Sequence, residues 1–384
     1  MTLTYLDHAA TTPLDPRVQE IMVEVFSTTF GNPSSLHQFG QAAHAVIEKA
    51  RRTMADLLRA SPQEIIFTSC GTESDNLALR GAAFAAREER GADRILIPPV
   101  EHHAVLHTAQ QLAELHDFDL KYLPVDNYGR TTPEDVAQHL DSRTAVVSVM
   151  FANNEIGTLN PVEEIARVCR DAGIIFHTDA VQAAAHFPID TSRLPINLLS
   201  IGAHKFYGPK GVGALFVRDG TPLLPVQTGG AQEFGIRAAT ENVPLIAGMA
   251  EAQQILYQEH TERNRRAHEL RDRLIETVQE RIPDVQLTGH PQHRLPNHAS
   301  FALQHTDNSL LVSLLDAEGT AVSSGSACKT GRAEPSRILE EIGLPPSWTQ
   351  GALRVTVGQD TTAEEVEHLL DLLPGVVSRV RELS

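Results

Sequence analysis

Short apolar runs alternate with longer amphipathic segments between about residues 60 and 220. The runs EIIFTS, RILIPP, LKYLPV, TAVVSVMF, GIIFHTDA and VGALFV predict strands, whereas ESDNLALRGAAFAAREER and PVEEIARVCRDAG predict helices. The second helix is predicted to begin at Pro161 and to end at Gly173, because proline and glycine are favoured at these positions. Strands that alternate with helices in this way indicate a mostly parallel sheet with helices on both faces.

The pattern changes after a long helix predicted from Leu245 to about Arg281. Beyond Pro283, short strands (DVQLTG, ASFALQ, ALRVTVG) mix with two helical segments, SLLVSLLDAEG and TAEEVEHLLDLLPGVVSRVREL. This mixture is typical of a smaller α+β unit. We therefore predict an α/β protein with a large domain over residues 15–256. A small domain is predicted to contain residues 1–14 and 257–384.

Composition and charge restrict the class of protein. Hydrophobic residues make up 41% of the chain and charged residues 21%, which is ordinary for a globular protein. The net charge of −17 argues against a broad nucleic-acid-binding surface. We expect no membrane association, since no apolar run is long enough to span a bilayer. The start, MTLTYLDHAATT, lacks a signal-peptide pattern, and three scattered cysteines predict a reduced, cytosolic protein.

Lysine is scarce, and one lysine stands out by its position. The chain has five lysines, and Lys205 lies between the apolar runs INLLSI and VGALFV. A lysine held between apolar strands has a lowered pKa, so its free amine can form a Schiff base. From position alone, an exposed loop lysine is the better interpretation.

An aspartate is predicted to lie beside this lysine. Asp179 ends the strand GIIFHTDA, and a carboxylate at such a strand end points into the crevice where α/β proteins bind ligands. A helix cap is an equally good interpretation of Asp179 by itself. Together with Lys205, however, it indicates pyridoxal phosphate, which needs a lysine for its aldehyde and a carboxylate for its ring nitrogen.

Three further segments offer groups to such a cofactor. FTSCGTESDNLAL predicts a strand, a turn and a helix start, so that the N–H groups of Gly71 and Thr72 can face a phosphate. His102 in EHHAVL can stack on a ring or transfer protons, although a single histidine is more often structural. Asn154 in MFANNEIG is predicted at another strand end, where the alternative is an ordinary turn residue.

Nine motifs then occur in order across nearly the whole chain: YLDHAATTPLDPRV, GNPSSLHQFG, FTSCGTESDNLAL, EHHAVL, NNEIGTLNPVEEI, HTDAVQ, HKFYGPKG, RAATENV and SSGSAC. Together they resemble the cysteine desulfurases of the NifS/IscS type, which are class V pyridoxal-phosphate enzymes of aminotransferase fold type I. The SSGSAC form of the last motif is similar to the first of the two desulfurase groups. The resemblance implies desulfuration of L-cysteine and a role in iron–sulfur cluster or thiolation pathways.

The resemblance implies a role for each cofactor-facing residue. Lys205 would bind the cofactor aldehyde and move protons at the substrate Cα. Asp179 would pair with the ring nitrogen, and Gln182 would hydrogen-bond the ring oxygen. His102 would stack on the ring and act as an acid–base group.

The phosphate site is implied in the same way. Gly71, Thr72 and His204 would hold the phosphate, and Thr240 of a second subunit would reach across to it, which implies a homodimer. Gly202 lies where family members commonly have a serine that helps to hold the phosphate, so one hydroxyl contact is missing here. Cys70 is a second departure, because it adds a thiol to the turn.

The substrate-side residues complete the implied site. Asn154 and Arg354 would bind the substrate carboxylate, a task that suits a guanidinium. Cys328 would attack the sulfur of the bound cysteine and keep it as a persulfide, leaving alanine. Nearby Lys329 and Arg332 favour its thiolate.

Two alternatives remain open. One is another class V enzyme, either a transaminase, which would not need Cys328, or a selenocysteine lyase. The other is a catalytically weak module that mainly recruits partners. The sulfur acceptor is also open, since an iron–sulfur scaffold, tRNA thiolation and DNA sulfur modification all use desulfurases of similar appearance.

Overall fold

A computed structural model describes residues 3–325 and 335–383. Cys328, Lys329 and Arg332 lie outside the described residues, so the predictions for them are not addressed by the fold.

Strands and helices alternate through the first two thirds of the described chain, as predicted. The strands are β1 (Thr4–Tyr5), β2 (Ile65–Thr68), β3 (Arg94–Ile97), β4 (Asp119–Tyr122), β5 (Thr144–Ser148), β6 (Ile175–Asp179), β7 (Leu198–Gly202), β8 (Gly213–Val217), β9 (Val285–Leu287), β10 (His298–Leu303), β11 (Thr320–Ala321) and β12 (Ala352–Thr356). The helices are α1 (Pro16–Thr28), α2 (Gln38–Leu58), α3 (Gly71–Arg90), α4 (His103–His116), α5 (Pro133–His139), α6 (Val162–Asp171), α7 (Val243–Arg281), α8 (Asn308–Ala317), α9 (Arg337–Glu341), α10 (Pro346–Thr349) and α11 (Ala363–Leu383).

The large sheet has the order β2-β8-β7-β6-β5-β3-β4. The pairs from β7 to β4 are parallel, and only β8 runs antiparallel to its neighbours β7 and β2. Every residue of β5, β6 and β7 is buried, which is expected for parallel strands covered on both faces. The predicted mostly parallel α/β sheet is therefore confirmed, and its carboxyl ends point to one edge.

Helices cover this sheet through regular apolar faces. In α6 the buried residues Val162, Ile165, Ala166 and Cys169 recur every three or four positions, which is the spacing of one helix face. Cys169 is fully buried in that core, and burial raises the pKa of its thiol to about 12. Such a thiol is inert.

The C-terminal part has a small antiparallel sheet of order β12-β10-β9 and its own hydrophobic core, which includes Leu6, Leu274, Phe301 and Leu369. Helix α7 joins the two cores, since its first half packs in the large one and its second half in the small one. The division at residue 256 stays a prediction. Among the described residues, no helix is long and apolar enough to cross a bilayer.

Candidate active site

A cavity of about 210 Å³ lies where the carboxyl ends of β5, β6 and β7 meet the first turn of α3, and we call it the main cavity. Its lining residues are Cys70, Gly71, Thr72, Asp75, His102, Met150, Ala152, Asn154, Asp179, Val181, Gln182, His204 and Lys205. Segments that are far apart in sequence converge here because parallel strands end at the same edge of the sheet.

Lys205 follows β7 and reaches the cavity with its amine. The Nζ atom donates hydrogen bonds to the carbonyl oxygens of Ala9 at 2.6 Å and Ala10 at 2.7 Å. Burial, and then the positive charge of Arg354, lowers the pKa of Lys205 from 10.5 to about 8. A much larger fraction of its amine is therefore neutral and nucleophilic near neutral pH than for an ordinary lysine.

Asp179 ends β6 and is only 7% exposed. Its Oδ1 accepts a hydrogen bond from the backbone N–H of Val181 at 2.9 Å. Burial raises the pKa of Asp179, while the nearby His102 and Lys205 lower it. This carboxylate lines the cavity, where it can accept a hydrogen bond from a protonated ring nitrogen.

His102 is the N-cap residue of α4, and its position follows from that role. Its Nδ1 accepts the backbone N–H of Ala104 at 3.1 Å, so the proton of the neutral ring is on Nε2. Burial lowers the pKa of His102, with Lys205 acting in the same direction and Asp179 against it. The ring is thus a neutral group that can exchange a proton inside the cavity.

The first turn of α3 forms an anion cradle. A side chain at Gly71 would place its Cβ 2.6 Å from Val181 Cγ2, so only glycine allows this close approach. The N-cap Cys70 accepts the N–H of Glu73 with its sulfur at 3.4 Å. The N–H groups at the start of this 20-residue helix are a favourable site for a phosphate.

His204 and Gly202 lie beside this cradle. The Nδ1 atom of His204 pairs with Thr11 Oγ1 at 3.1 Å, and burial lowers the pKa of His204 to about 4. Gly202 does not line the cavity, but a Cβ there would lie 3.5 Å from the N atom of Gly71. A hydroxyl at this position would lie beside the start of α3, where one phosphate contact is predicted from the sequence to be missing.

A second space of about 420 Å³, the outer cavity, adjoins the main one and shares His102, Asn154 and Lys205 with it. Arg354 of β12 lines this space and is 4% exposed. Its Nη2 pairs with Asp7 Oδ1 at 2.7 Å, and its Nη1 donates to the carbonyl oxygen of Asn154 at 2.9 Å. Within the described residues its buried Nε has no hydrogen-bond partner. The guanidinium lines the outer cavity, where it can bind a carboxylate.

The structure brings most of the predicted site residues together. Gly71, Thr72, His102, Asn154, Asp179, Gln182, His204 and Lys205 line the main cavity, and Arg354 lines the outer one. Gln182 also donates to Ala9 O at 2.9 Å, the same oxygen that holds Lys205. Thr240 is exposed and lines neither cavity, and Cys328 lies outside the described residues. The roles of these residues remain predictions.

The sequence interpretation differs from the structure at one position and gave no role to several residues. Asn154 does not end a strand, because β5 stops at Ser148 and Asn154 lies in the following loop. Asp7, which pairs with Arg354, belongs to the quoted motif YLDHAATT but was given no role. Asp75, inside the motif FTSCGTESDNLAL, is buried in the wall of the main cavity, which its polar neighbours in the sequence do not indicate.

Comparison with known proteins identifies the family. The sequence profile described as aminotransferase class-V matches residues 4–369. The chain belongs to the class-V aminotransferase family. This class-V protein is 44% identical over 380 residues to cysteine desulfurase IscS of Methanosarcina thermophila, covering 99% of this chain and 93% of that one. It is also 44% identical over 380 residues to cysteine desulfurase IscS of Dictyoglomus turgidum, with coverages of 99% and 96%.

Solved structures agree with this result. A structure titled NifS-like protein superposes with a TM-score of 0.91 at 35% identity and covers 98% of this chain and 100% of that one. DndA from Streptomyces lividans superposes with a TM-score of 0.78 at 36% identity, over 92% and 99% of the two chains. These comparisons confirm the predicted resemblance to NifS/IscS-type cysteine desulfurases and the predicted fold type I. They also confirm that this protein is a pyridoxal-phosphate-dependent cysteine desulfurase.

The residues of this class-V protein fit pyridoxal phosphate. Lys205 offers an amine of lowered pKa, and Asp179 offers a buried carboxylate that among the described groups receives one backbone N–H. The start of α3 at Gly71 and Thr72 lines the cavity and offers backbone N–H groups to a phosphate. The aldehyde, the ring nitrogen and the phosphate thus each meet a suitable group in one cavity.

Proposed function

We propose that this protein converts L-cysteine to L-alanine and keeps the sulfur as a persulfide on Cys328. The observation that carries the proposal is the adjacency of the two cavities. The main cavity holds Lys205, Asp179 and the phosphate cradle, and the outer cavity joins them to Arg354. Ser323 and Gly325 line the outer cavity too, so the described chain reaches the substrate space three residues before Cys328.

The main cavity supports proton transfer at the substrate Cα. Bound pyridoxal phosphate supplies a sink for the electrons released there. Lys205, whose amine is partly neutral because its pKa is lowered to about 8, takes the proton from Cα and returns it. The neutral His102 ring lines both cavities and can exchange its Nε2 proton there.

The outer cavity supports binding of the amino-acid carboxylate. Asp7 and the carbonyl oxygen of Asn154 hold the guanidinium of Arg354 in one orientation. The guanidinium lines the outer cavity, so a carboxylate that enters this space gains a charge-assisted interaction with Arg354. The substrate is thereby held with its Cα toward Lys205.

The sulfur transfer is balanced without an added oxidant. The Cys328 thiolate attacks the substrate sulfur, a new S–S bond forms, and the substrate C–S bond breaks. The electron pair of that bond stays with the carbon, which takes up one proton and becomes the methyl group of alanine. The products are one alanine and one Cys328 persulfide per turnover.

The test compares three cysteine variants. Cys328→Ser is expected to abolish both alanine release and persulfide labelling, because a hydroxyl is far less nucleophilic than a thiolate. Cysteine should still change the absorbance of the bound cofactor, since Lys205 and Arg354 are intact. Cys70→Ser and Cys169→Ser are the matched controls and should retain both products. Alanine formation by Cys328→Ser at the wild-type rate would overturn the proposal.

The same assay separates the alternatives. A transaminase would convert the cofactor to its amine form and would require a keto acid to turn over. A selenocysteine lyase would release alanine from selenocysteine but not from cysteine. A partner-binding module would be purified without a yellow cofactor.

We also infer a homodimer and delivery of the persulfide sulfur to an acceptor protein in the cytoplasm. Thr240 is compatible with the homodimer, since it is exposed in the single chain and lines neither cavity. A residue of this kind is available to a neighbouring subunit.

A further inference from the structure

Three buried carboxyl groups surround the two cavities, and only Asp179 has a role so far. Asp75 and Glu101 are each 1% exposed, and Asp75 lines the main cavity. One oxygen of Asp75, one of Asp179 and a ring nitrogen of His102 all lie within 4.8 Å of one another. Among the described residues no lysine or arginine forms an ion pair with Asp75, so its charge has no such compensation.

Two ionised carboxylates at this distance in a buried site repel strongly. Water does not screen them, and each also loses hydration free energy on burial. Burial, and then the charge of Asp179, raises the pKa of Asp75 well above its ordinary value. A single proton on the pair removes most of this cost.

The surroundings decide which carboxyl carries that proton. Asp179 accepts the N–H of Val181 at 2.9 Å and lies near His102 and Lys205, which favour its ionised form. Asp75 Oδ1 is buried and has no hydrogen-bond partner among the described residues, and the Ser200 hydroxyl, which lowers the pKa of Asp75, acts against the larger effects of burial and of Asp179. An ionised carboxylate requires donors, whereas a carboxylic acid brings a proton of its own.

A nearby histidine does not neutralise Asp75. His177 Nε2 lies 3.6 Å from Asp75 Oδ1, beyond hydrogen-bonding distance. Its ring nitrogens pair instead with the Ser148 hydroxyl at 2.8 Å and the Ser200 hydroxyl at 3.0 Å. Burial lowers the pKa of His177 to about 3. The ring is therefore neutral, with one nitrogen as donor and the other as acceptor.

We propose that Asp75 is a neutral carboxylic acid in the resting protein and that its proton confines the negative charge of the pair to Asp179. The titratable groups that act on Asp75 or lie against it are Cys70, Glu101, His102, Asp179 and His177. Asp75 is a positioning residue, because it acts on the cofactor site only through Asp179. The effect of Asp75 on the cofactor site rests on the proposed function, whereas the protonation state of Asp75 does not.

Infrared spectroscopy tests the protonation state directly, since a carboxylic acid absorbs apart from a carboxylate. We expect the wild-type protein, with or without its cofactor, to show a buried carboxylic-acid band near neutral pH. Part of that band should shift when aspartate alone is labelled with ¹³C. The labelling needs no substitution, so the test stands even if a variant fails to fold. A carboxylic-acid band that is insensitive to labelled aspartate would overturn the proposal.

Two variants assign the band. Asp75→Asn should remove the aspartate component, while the matched control Glu101→Gln should leave it in place. Glu101 is equally buried, and its Oε1 accepts the Met150 N–H at 2.6 Å. An aspartate band that survives in Asp75→Asn would assign the proton elsewhere and overturn the proposal.

A kinetic comparison tests the link to Asp179. Asparagine and leucine match the shape of aspartate, but only asparagine keeps a polar donor toward Asp179. We expect Asp75→Leu to have a lower kcat than Asp75→Asn, because only the amide keeps a polar group beside the buried charge of Asp179. The pH profile of the cofactor absorbance should shift in Asp75→Leu alone. Equal behaviour of the two variants would contradict the proposed action through Asp179. If instead all desulfurase activity were absent, the infrared result would still decide the protonation state.

Discussion

The guanidinium of Arg354 lies against the carboxylate of Asp7, with 2.7 Å between Nη2 and Oδ1. These residues are far apart in sequence, and a backbone bridge between Asp7 and Thr356 brings their segments together. The contact orients a buried cation at the edge of the outer cavity before any substrate arrives. It also leaves Nε as the N–H that has no partner among the described residues.

Arg354→Lys is therefore expected to weaken cysteine binding more than it slows chemistry. An ammonium group cannot contact Asp7, Asn154 and a substrate carboxylate at once in the geometry of a guanidinium. We expect KM for cysteine to rise about tenfold or more, with a smaller fall in kcat. Steady-state kinetics of alanine release measure both. Arg273→Lys is the control, since Arg273 is exposed on α7 and pairs with Glu367. Equal KM values for the two variants would rule out this role.

The second prediction concerns the pH dependence of cofactor capture by Lys205. Only the neutral amine attacks an aldehyde, and burial lowers its pKa to about 8. The rate at which the apo-protein captures pyridoxal phosphate should therefore rise with pH through about 8 and then level off. An unperturbed lysine would keep rising toward about 10.4. Absorbance at each pH measures the rate, and borohydride followed by peptide mapping identifies the lysine. Labelling of Lys210 instead of Lys205 would refute the assignment.

The fold and most of the cavity lining follow from local patterns in the sequence. The alternation of apolar runs with amphipathic helices predicts the parallel sheet, and a parallel sheet brings strand ends such as Asp179 to one edge. The prediction for Asn154 is wrong in detail because the apolar residues Met150 and Phe151 prolong the pattern beyond β5. The chain turns there instead, and the Oδ1 atom of Asn153 accepts the backbone N–H groups of Glu155 and Ile156.

Contacts between distant segments could not be predicted in this way. Asp7 is a charged residue near the N-terminus, and nothing in its neighbourhood indicates a partner on β12. Asp75 is one polar residue in the helix pattern ESDNLAL, where a solvent-exposed face is the ordinary interpretation. Its burial depends on how α3 packs against the ends of β6 and β7, which is a property of the tertiary structure.

The third prediction tests whether two subunits share a site. If Thr240 serves the phosphate of its neighbour, Thr240→Ala and Lys205→Ala should each be inactive at limiting cofactor. A mixed dimer then has one site with both residues intact. Random exchange makes half of the dimers mixed, so activity should recover to about a quarter of wild type. Alanine release after mixing measures the recovery.

The control for this experiment is a mixture of two Lys205-defective preparations, which should stay inactive. Subunit exchange must be shown independently, for example with two differently tagged chains. Exchange without recovery of activity would show that Thr240 does not complete a neighbouring site.

The last prediction addresses the glycine at position 202, where the family resemblance of the sequence implies a serine. A Cβ at Gly202 would lie 3.5 Å from both the N atom of Gly71 and Val181 Cγ1, which is ordinary contact, and φ is −129°. A serine therefore fits without strain and places its hydroxyl beside the phosphate cradle. One hydrogen bond to a charged group should tighten pyridoxal-phosphate binding roughly tenfold in Gly202→Ser. Equilibrium dialysis of the apo-protein measures this affinity.

Gly202→Ala adds the same Cβ without the hydroxyl and should bind as the wild type does. Gly71→Ala should bind more weakly than either, because its Cβ would lie 2.6 Å from Val181 Cγ2. If Gly202→Ser binds no tighter than Gly202→Ala, the phosphate does not lie at the start of α3.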